Sequence, residues 1–512
     1  MKTKINASRT QKSTNNVIAG VAYRLVMMFF PFIIKTITIY TLGAEYLGLN
    51  SLFSSILQVL SLSELGVGTA MVYNMYKPIA ENDKDTVCAL LKLYRTLYAA
   101  IGTFIMIIGL ALLPFLDKLI ASDYPNDINI YLLYLIYLGN TVITYFLFAY
   151  KKSLLEANQI NSIESDINTA VNIMLYIMQI IVLLVFKNYY IYIILLPIST
   201  IIINLVRNYT VKKLFPEYIC KGKLDKSVLN EIKKKVVALV GHKIGTTIIT
   251  SADSIVISAF LGLVVLAQYS NYYYIINCLI AFITVLYTSI TASVGNSIIK
   301  DSIDKVYKDF KSLTFINLWI VGWCSICLIC LYQPFMKLWM GEELMFDFHI
   351  VILLVVYFYS WLFRRIGLTY KDAAGMWNED FWKPYIGAIV NLVTNIVLVK
   401  LIGIEGVMIS TIIVMLFIYF PWETSILFKK LFKRSSIEYL LKIFIHTVIT
   451  IIVMVITYLF CGIVKFDGMV ELIIKAFICV ILPNLIFVLL YFRTEEFKVL
   501  INKLNGLINK NK

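Results

Sequence analysis

The sequence predicts an all-α polytopic membrane protein of about fourteen transmembrane helices, arranged as two pseudo-symmetric six-helix bundles followed by two C-terminal helices. Three observations carry this reading. Of the 512 residues, 60% are hydrophobic and 15% charged, and the mean hydropathy is +0.81, far above that of soluble domains. The apolar residues gather into runs that can cross a hydrocarbon core about 30 Å thick, which takes roughly 20 residues of helix. Lysine and arginine gather in every second loop between those runs.

In chain order the runs lie near 17–40, 48–74, 93–116, 130–150, 165–186 and 189–206 in the first half. The second half holds those near 236–260, 266–292, 313–335, 348–368, 384–401 and 404–422, and two more follow near 439–461 and 470–492. Of the 46 basic residues, 37 fall in the loops of one side; the other side has five, Lys118, Lys187, Lys337, Lys400 and Lys465. The positive-inside rule then puts both termini in the cytoplasm. This topology signal accounts for most of the net charge of +15, so no nucleic-acid partner is called for. The opening "MKTKINASRTQKSTNN" leads directly into a full-length span with no small-residue cleavage site, so the first span is expected to be kept.

Internal matches point to a duplication. "LG" at Leu42–Gly43 recurs at Leu261–Gly262, and at almost the same spacing Tyr150, Lys151 and Asn158 recur as Tyr370, Lys371 and Asn378. "ISTII" at 198–202 recurs at 409–413. The expected divisions are 1–215 for the first bundle, 216–235 for a basic cytoplasmic linker, 236–428 for the second bundle, and 429–512 for the two added helices and the tail. With six spans in each half, the repeats enter the membrane from the same side, a plan found in transporters.

A charge at the centre of a span costs about 2.5–3.5 kcal/mol on insertion scales, so charges that persist there are candidates for function. Arg24 and Lys35 lie in the first run, and the offset between the two "LG" pairs carries Arg24 to Lys243 in the seventh. Lys243, Thr246, Thr247, Thr250 and Ser254 fall on one helical stripe, as do Arg24, Pro31 and Lys35. Asn50, Ser54, Gln58 and Ser61 form a stripe in the second run; Asn277, Thr284, Thr288 and Thr291 form one in the eighth, where Asn277 is the mate of Gln58. Polar stripes in lipid must face protein or water. The candidate cavity residues are therefore Arg24, Lys35, Lys243, Gln58, Asn277, Thr246, Thr250 and Asn50. Glu64 and Asp253 are candidate counter-ions or ion-coupling carboxylates, and Arg364 and Arg365 are placed at the cytoplasmic mouth. The tyrosines of "NYYY" at 271–274 are read as part of the interfacial aromatic belt.

The eight cysteines show no disulfide or metal spacing, and "CSICLIC" (Cys324, Cys327, Cys330) lies inside an apolar helix as packing residues. His349 and His446 have no companion ligands in sequence, so neither metal nor cofactor is expected. With no Walker loop, no nucleophile–base pair and no large outer loop, an enzyme is not expected either.

The stretch "TLGAEYLGLNSLFSSILQVLSLSELGVGTAMVYNMYKPIAEND" (41–83), with spans in a six, six and two order, resembles the polysaccharide-transport branch of the multidrug/oligosaccharidyl-lipid/polysaccharide exporter superfamily, the O-antigen and capsule repeat-unit flippases. The resemblance implies alternating access for an undecaprenyl-diphosphate-linked oligosaccharide in a bacterial plasma membrane, by a monomer, with polysaccharide polymerase or assembly proteins as further partners. Relatives that flip a lipid-linked peptidoglycan precursor use a cationic cavity, and Arg24 and Lys243 are the matching positions. A flippase of lipid-linked peptidoglycan precursor is one alternative, and an ion-coupled, multidrug-type exporter of small molecules is the other. Its branch usually carries an acid in the first span, and this sequence has none there.

Overall fold

The computed structural model describes residues 9–61, 67–122, 124–226, 229–230, 232, 247, 249 and 251–501, and among them every regular element is helical. Among the described residues eleven helices are long and apolar enough to cross a membrane, or twelve if one bent pair is counted as a single span. The two remaining expected runs, 48–74 and 236–260, coincide with shorter helices that adjoin residues outside the description. Chain contacts divide the protein into two units, Met1–Ala267 and Gln268–Lys512, so the division falls beyond the basic segment 216–235.

The first unit begins with α1 (Arg9–Thr41), α2 (Ala44–Leu60), α3 (Val67–Ala80) and α4 (Lys84–Leu119). It continues with α5 (Ile130–Phe146), α6 (Ala149–Ala157), α7 (Asn161–Phe186), α8 (Tyr189–Leu214) and α9 (Ser251–Leu261). α6 bends away from α5 by 48°. Aspartate and asparagine start several of these helices by capping: Asp83 accepts from Thr86 N, Asn129 from Leu132 N and Asn188 from Ile191 N. α1 buries Ala19, Ile34 and Thr38 and packs chiefly on α7. The core behind α2 is built from tyrosines whose rings pack while their hydroxyls find acceptors. Tyr134 donates to Gly109 O (3.1 Å) and Tyr189 to Tyr46 O (2.9 Å), and the Tyr134 ring lies edge-on to Phe53.

α10 (Leu263–Lys300) starts at the end of the first unit and runs into the second. It is followed by α11 (Ile303–Met340), α12 (Phe348–Ala373), α13 (Lys383–Ile402) and α14 (Ile404–Phe432). The last two helices, α15 (Ile437–Gly462) and α16 (Gly468–Tyr491), pack on α11 through a core containing Phe315, Val453 and Phe487. The tyrosines of "NYYY" depart from the interfacial belt expected of them. Tyr272 is fully buried, donates to Gln333 Oε1 (2.9 Å) and accepts from Phe346 N (3.2 Å), while Tyr273 meets the Tyr357 hydroxyl at 2.9 Å.

The repeat positions agree in local structure. Gly43 (φ +121°) and Gly262 (φ +90°) both hold a left-handed backbone between the first and second helices of their halves, a conformation that glycine adopts without strain. Tyr150 and Tyr370 are both buried, and so are the lysines after them. Lys151 donates to Asn208 Oδ1 (2.6 Å) and Lys371 to Asp380 Oδ2 (2.6 Å).

Gly48 lets α2 approach the start of α10, since a Cβ there would stand 2.3 Å from Leu263 O. Replacing Gly48 by alanine is expected to destabilise the protein by roughly 1–3 kcal/mol, the usual cost of overpacking. Thermal unfolding in detergent checks this, with Gly20→Ala as the neutral control, because nothing lies within 4 Å of its Cβ position.

Candidate functional site

Three sequence-predicted residues meet in one hollow of the first unit. Lys35, Asn50 and Gln58 line a cavity of about 420 Å³, together with Ser54, Ser61 and Pro31. Spacing explains how α2 supplies so much of the wall: Asn50, Ser54, Gln58 and Ser61 recur at helical period, so their short polar groups share a face. Asn50 Oδ1 accepts from Tyr137 (2.9 Å) and from Ser54 Oγ (3.3 Å). Gln58 Oε1 accepts from Ser251 Oγ of α9 (3.1 Å). Tyr137, Asn140 and Thr141 of α5 and Gln179 of α7 complete the polar wall, with Lys35 as the cation.

The other predicted residues are dispersed. Arg24 is exposed and does not line this cavity, although it shares the α1 stripe of Pro31 and Lys35, about 16 Å along the helix from Lys35. Asn277 is exposed on α10 and Asp253 is buried on α9. Lys243, Thr246, Thr250 and Glu64 lie outside the described residues.

Arg364 is not open at a mouth. Its guanidinium is buried between the rings of Trp361 and Tyr419, and it donates to both carboxylate oxygens of Glu423 at 2.6 and 2.7 Å. Lys383 donates to the same Glu423 (2.6 Å) and to Asp380 (2.7 Å), which also receives Lys371 (2.6 Å). All five side chains are buried and hold one another, and the partly exposed Asp372, 3.2 Å from Lys371, brings the acids to three against three bases. Arg365 is half-buried, with its guanidinium 6.0 Å from the centre of the Tyr287 ring.

The first unit has a counterpart with the charges exchanged. Glu164 of α7 accepts from Arg207 of α8 through Nε (2.9 Å) and Nη2 (2.5 Å), with Asn168 (2.9 Å) on the carboxylate and Asn204 (2.7 Å) on the guanidinium. The offset of the "LG" pairs carries Glu164 onto Lys383, and it carries Arg207 to within one helical turn of Glu423. The fifth and sixth helices of each half are thus clasped by one buried pair, acid-to-base in the first unit and base-to-acid in the second. The offset of the Tyr–Lys matches carries Thr144 onto Arg364. Where Arg364 fills the second unit, Thr144 instead lines an open cavity of about 560 Å³ around the Glu164–Arg207 pair. Its wall includes Tyr23, Tyr94, Tyr98 and Lys152, the last paired with Glu156 at 3.2 Å, so the charges within it balance. Thr200 of this cavity donates to Asn140 of the Lys35 cavity at 2.7 Å, and this hydrogen bond joins the two linings.

No protein-family model matches the chain, and no curated protein sequence matches it. Solved structures do. The lipid II flippase MurJ in an inward closed conformation aligns with TM-score 0.64 at 17% identity, over 93% of this chain and 99% of that one. The chain has the fold of MurJ and the MATE transporters. A multidrug resistance MATE family transporter of the MOP superfamily, inward-facing, aligns at 0.59 with 14% identity, over 81% of this chain and 99% of that one. A MOP superfamily transporter from Pyrococcus furiosus, described as having a binding pocket of reversed polarity, aligns at 0.51 with 13% identity, over 85% and 98%. At these identities the likeness to MurJ and MATE concerns the path of the backbone, and the lining side chains are this chain's own.

The exchanged clasp is directly testable. Glu164→Lys or Arg207→Glu alone leaves two like charges buried together, and each is expected to cost about 3–5 kcal/mol. The double exchange reproduces the polarity of the second unit and is expected to recover most of that loss, as read from thermal unfolding of the three variants in detergent.

Proposed function

We propose that the protein is a flippase that moves an undecaprenyl-diphosphate-linked oligosaccharide from the inner to the outer leaflet of a bacterial plasma membrane. The observation that carries the reading is the Lys35 cavity: a cation, amides and hydroxyls gathered inside a membrane-spanning bundle. An intramembrane cation with polar neighbours suits an anionic headgroup that must leave water. Fold likeness to a lipid II flippase supports the same class, as do inward- and outward-facing structures of the MATE fold, which suit alternating access.

In this reading the diphosphate is met first by Arg24 and Lys243 and then held near Lys35. Asn50 and Gln58, with Asn277, Thr246 and Thr250, hydrogen-bond the substrate, and Glu64 and Asp253 balance the charge. Arg365 greets the headgroup at the inner side, and Arg364 acts through the ion network that fixes α12. The larger, charge-balanced cavity around Thr144 takes uncharged sugars, for which tyrosine faces, amides and hydroxyls are suitable partners. Inside-negative voltage favours an outward-moving anion by about 2.3 kcal/mol per charge per 100 mV. No acidic residue occurs in α1, which counts against an exporter of cationic drugs.

Polymer export in a complemented flippase-null strain tests this. Lys35→Ala is expected to lower surface polymer at least about tenfold at normal protein level, the loss of one charge-assisted hydrogen bond, and Lys35→Arg to keep most of it. Thr144→Arg, which copies the filled position of the second unit, is expected to block export without lowering the unfolding temperature. Unchanged export in Lys35→Ala and Thr144→Arg would refute the assignment.

A further inference from the structure

Three cysteines from three helices meet in the apolar core that joins the last two helices to the rest of the second unit. Cys330 of α11, Cys461 of α15 and Cys479 of α16 are all buried and none is in a disulfide. Their sulfurs lie within 4.8 Å of one another, and Cys461 and Cys479 stand 4.0 Å apart. Sequence spacing did not show this, because Cys327, the near neighbour of Cys330 in "CSICLIC", turns instead toward Cys479 O at 3.9 Å.

Geometry and ligand chemistry narrow what such a group can hold. A metal bound by three thiolates at about 2.3 Å places the sulfurs roughly 4.0 Å apart, close to the arrangement already present. Among the described residues no histidine, aspartate or glutamate joins the three sulfurs, so the donor set is soft throughout. Zinc takes four ligands in structural sites, and magnesium and calcium take oxygen. The surrounding core, with Ile326, Val453 and Phe487, offers them neither. A soft monovalent ion accepts three sulfurs without water.

We propose that Cys330, Cys461 and Cys479 form a trigonal site for Cu(I), a soft-metal staple that fastens α15 and α16 to α11. Each ligating thiol gives its proton to solvent and no electron moves. Lys475, one turn from Cys479 on the same helix, is itself paired with Glu471 at 2.5 Å, so the negative charge that the thiolates bring is offset in part by the metal ion alone. The site is separate from both cavities of the first unit and does not depend on what the protein transports.

Full-length protein, purified in detergent under anaerobic reducing conditions, is loaded with Cu(I), stripped with a chelating resin and analysed for metal by mass spectrometry. The wild type is expected to keep about one copper per chain, and Cys330→Ser, Cys461→Ser and Cys479→Ser to keep at least about tenfold less, while Cys278→Ser keeps it all. X-ray absorption on the loaded wild type needs no variant and is expected to show three sulfurs at about 2.3 Å. Retention below about a tenth of an ion per chain, serine variants that hold as much copper as the wild type, preference for zinc at equal supply, or a shell of nitrogen and oxygen would each overturn the proposal.

Discussion

A charge that cannot reach water must meet its opposite inside the protein, and this constraint organises both units. Burying one unpaired ion costs several kcal/mol, whereas a pair with further hydrogen bonds is tolerated. Glu164 therefore comes with Arg207, Asn168 and Asn204, and Arg364 comes with Glu423, Lys383, Asp380 and Lys371. Each set ties consecutive helices through residues far apart along the chain, α7 to α8 in the first unit and α12 to α13 and α14 in the second. The polarity of the clasp is free to invert between halves because only its neutrality is constrained.

Once the clasps are neutral, the remaining polar groups are available to line space. In the first unit Thr144 is short where Arg364 is long, and a cavity stays open beside the ion pair. Lys35 faces the other hollow with the amides of α2. The two linings differ in kind: one offers a positive charge, the other balanced charges and tyrosine hydroxyls. The substrate proposed above, with its anionic head and uncharged sugars, would meet one environment with each part, and a backbone with the fold of MurJ carries both hollows within one unit.

Much of this was legible in the sequence. Hydropathy and helical period placed the spans, because lipid admits few other solutions for the backbone. The "LG" and Tyr–Lys matches fall on positions that agree in local structure, a left-handed glycine and a buried lysine, each of which tolerates few replacements. The α2 stripe pointed to Asn50 and Gln58, and the cost of a charge within a span pointed to Lys35; all three line one hollow. Arg364 was misread because a basic residue at the end of a span looks the same in sequence whether it faces water or Glu423, 59 residues on. The Glu164–Arg207 pair was missed for the same reason: partners 43 residues apart leave no periodic trace, although applying the repeat offset to charged residues of either sign would have flagged it. Arg24 shows the opposite limit, where shared helical phase with Lys35 does not bring shared surroundings.

The hydrogen bond from Thr200 to Asn140 separates two hollows that are each roomy and polar enough for water. Breaking that bond leaves no ion unpaired, so the contact between the two linings can open for about 0.5–1.5 kcal/mol, whereas opening either clasp would strand a charge.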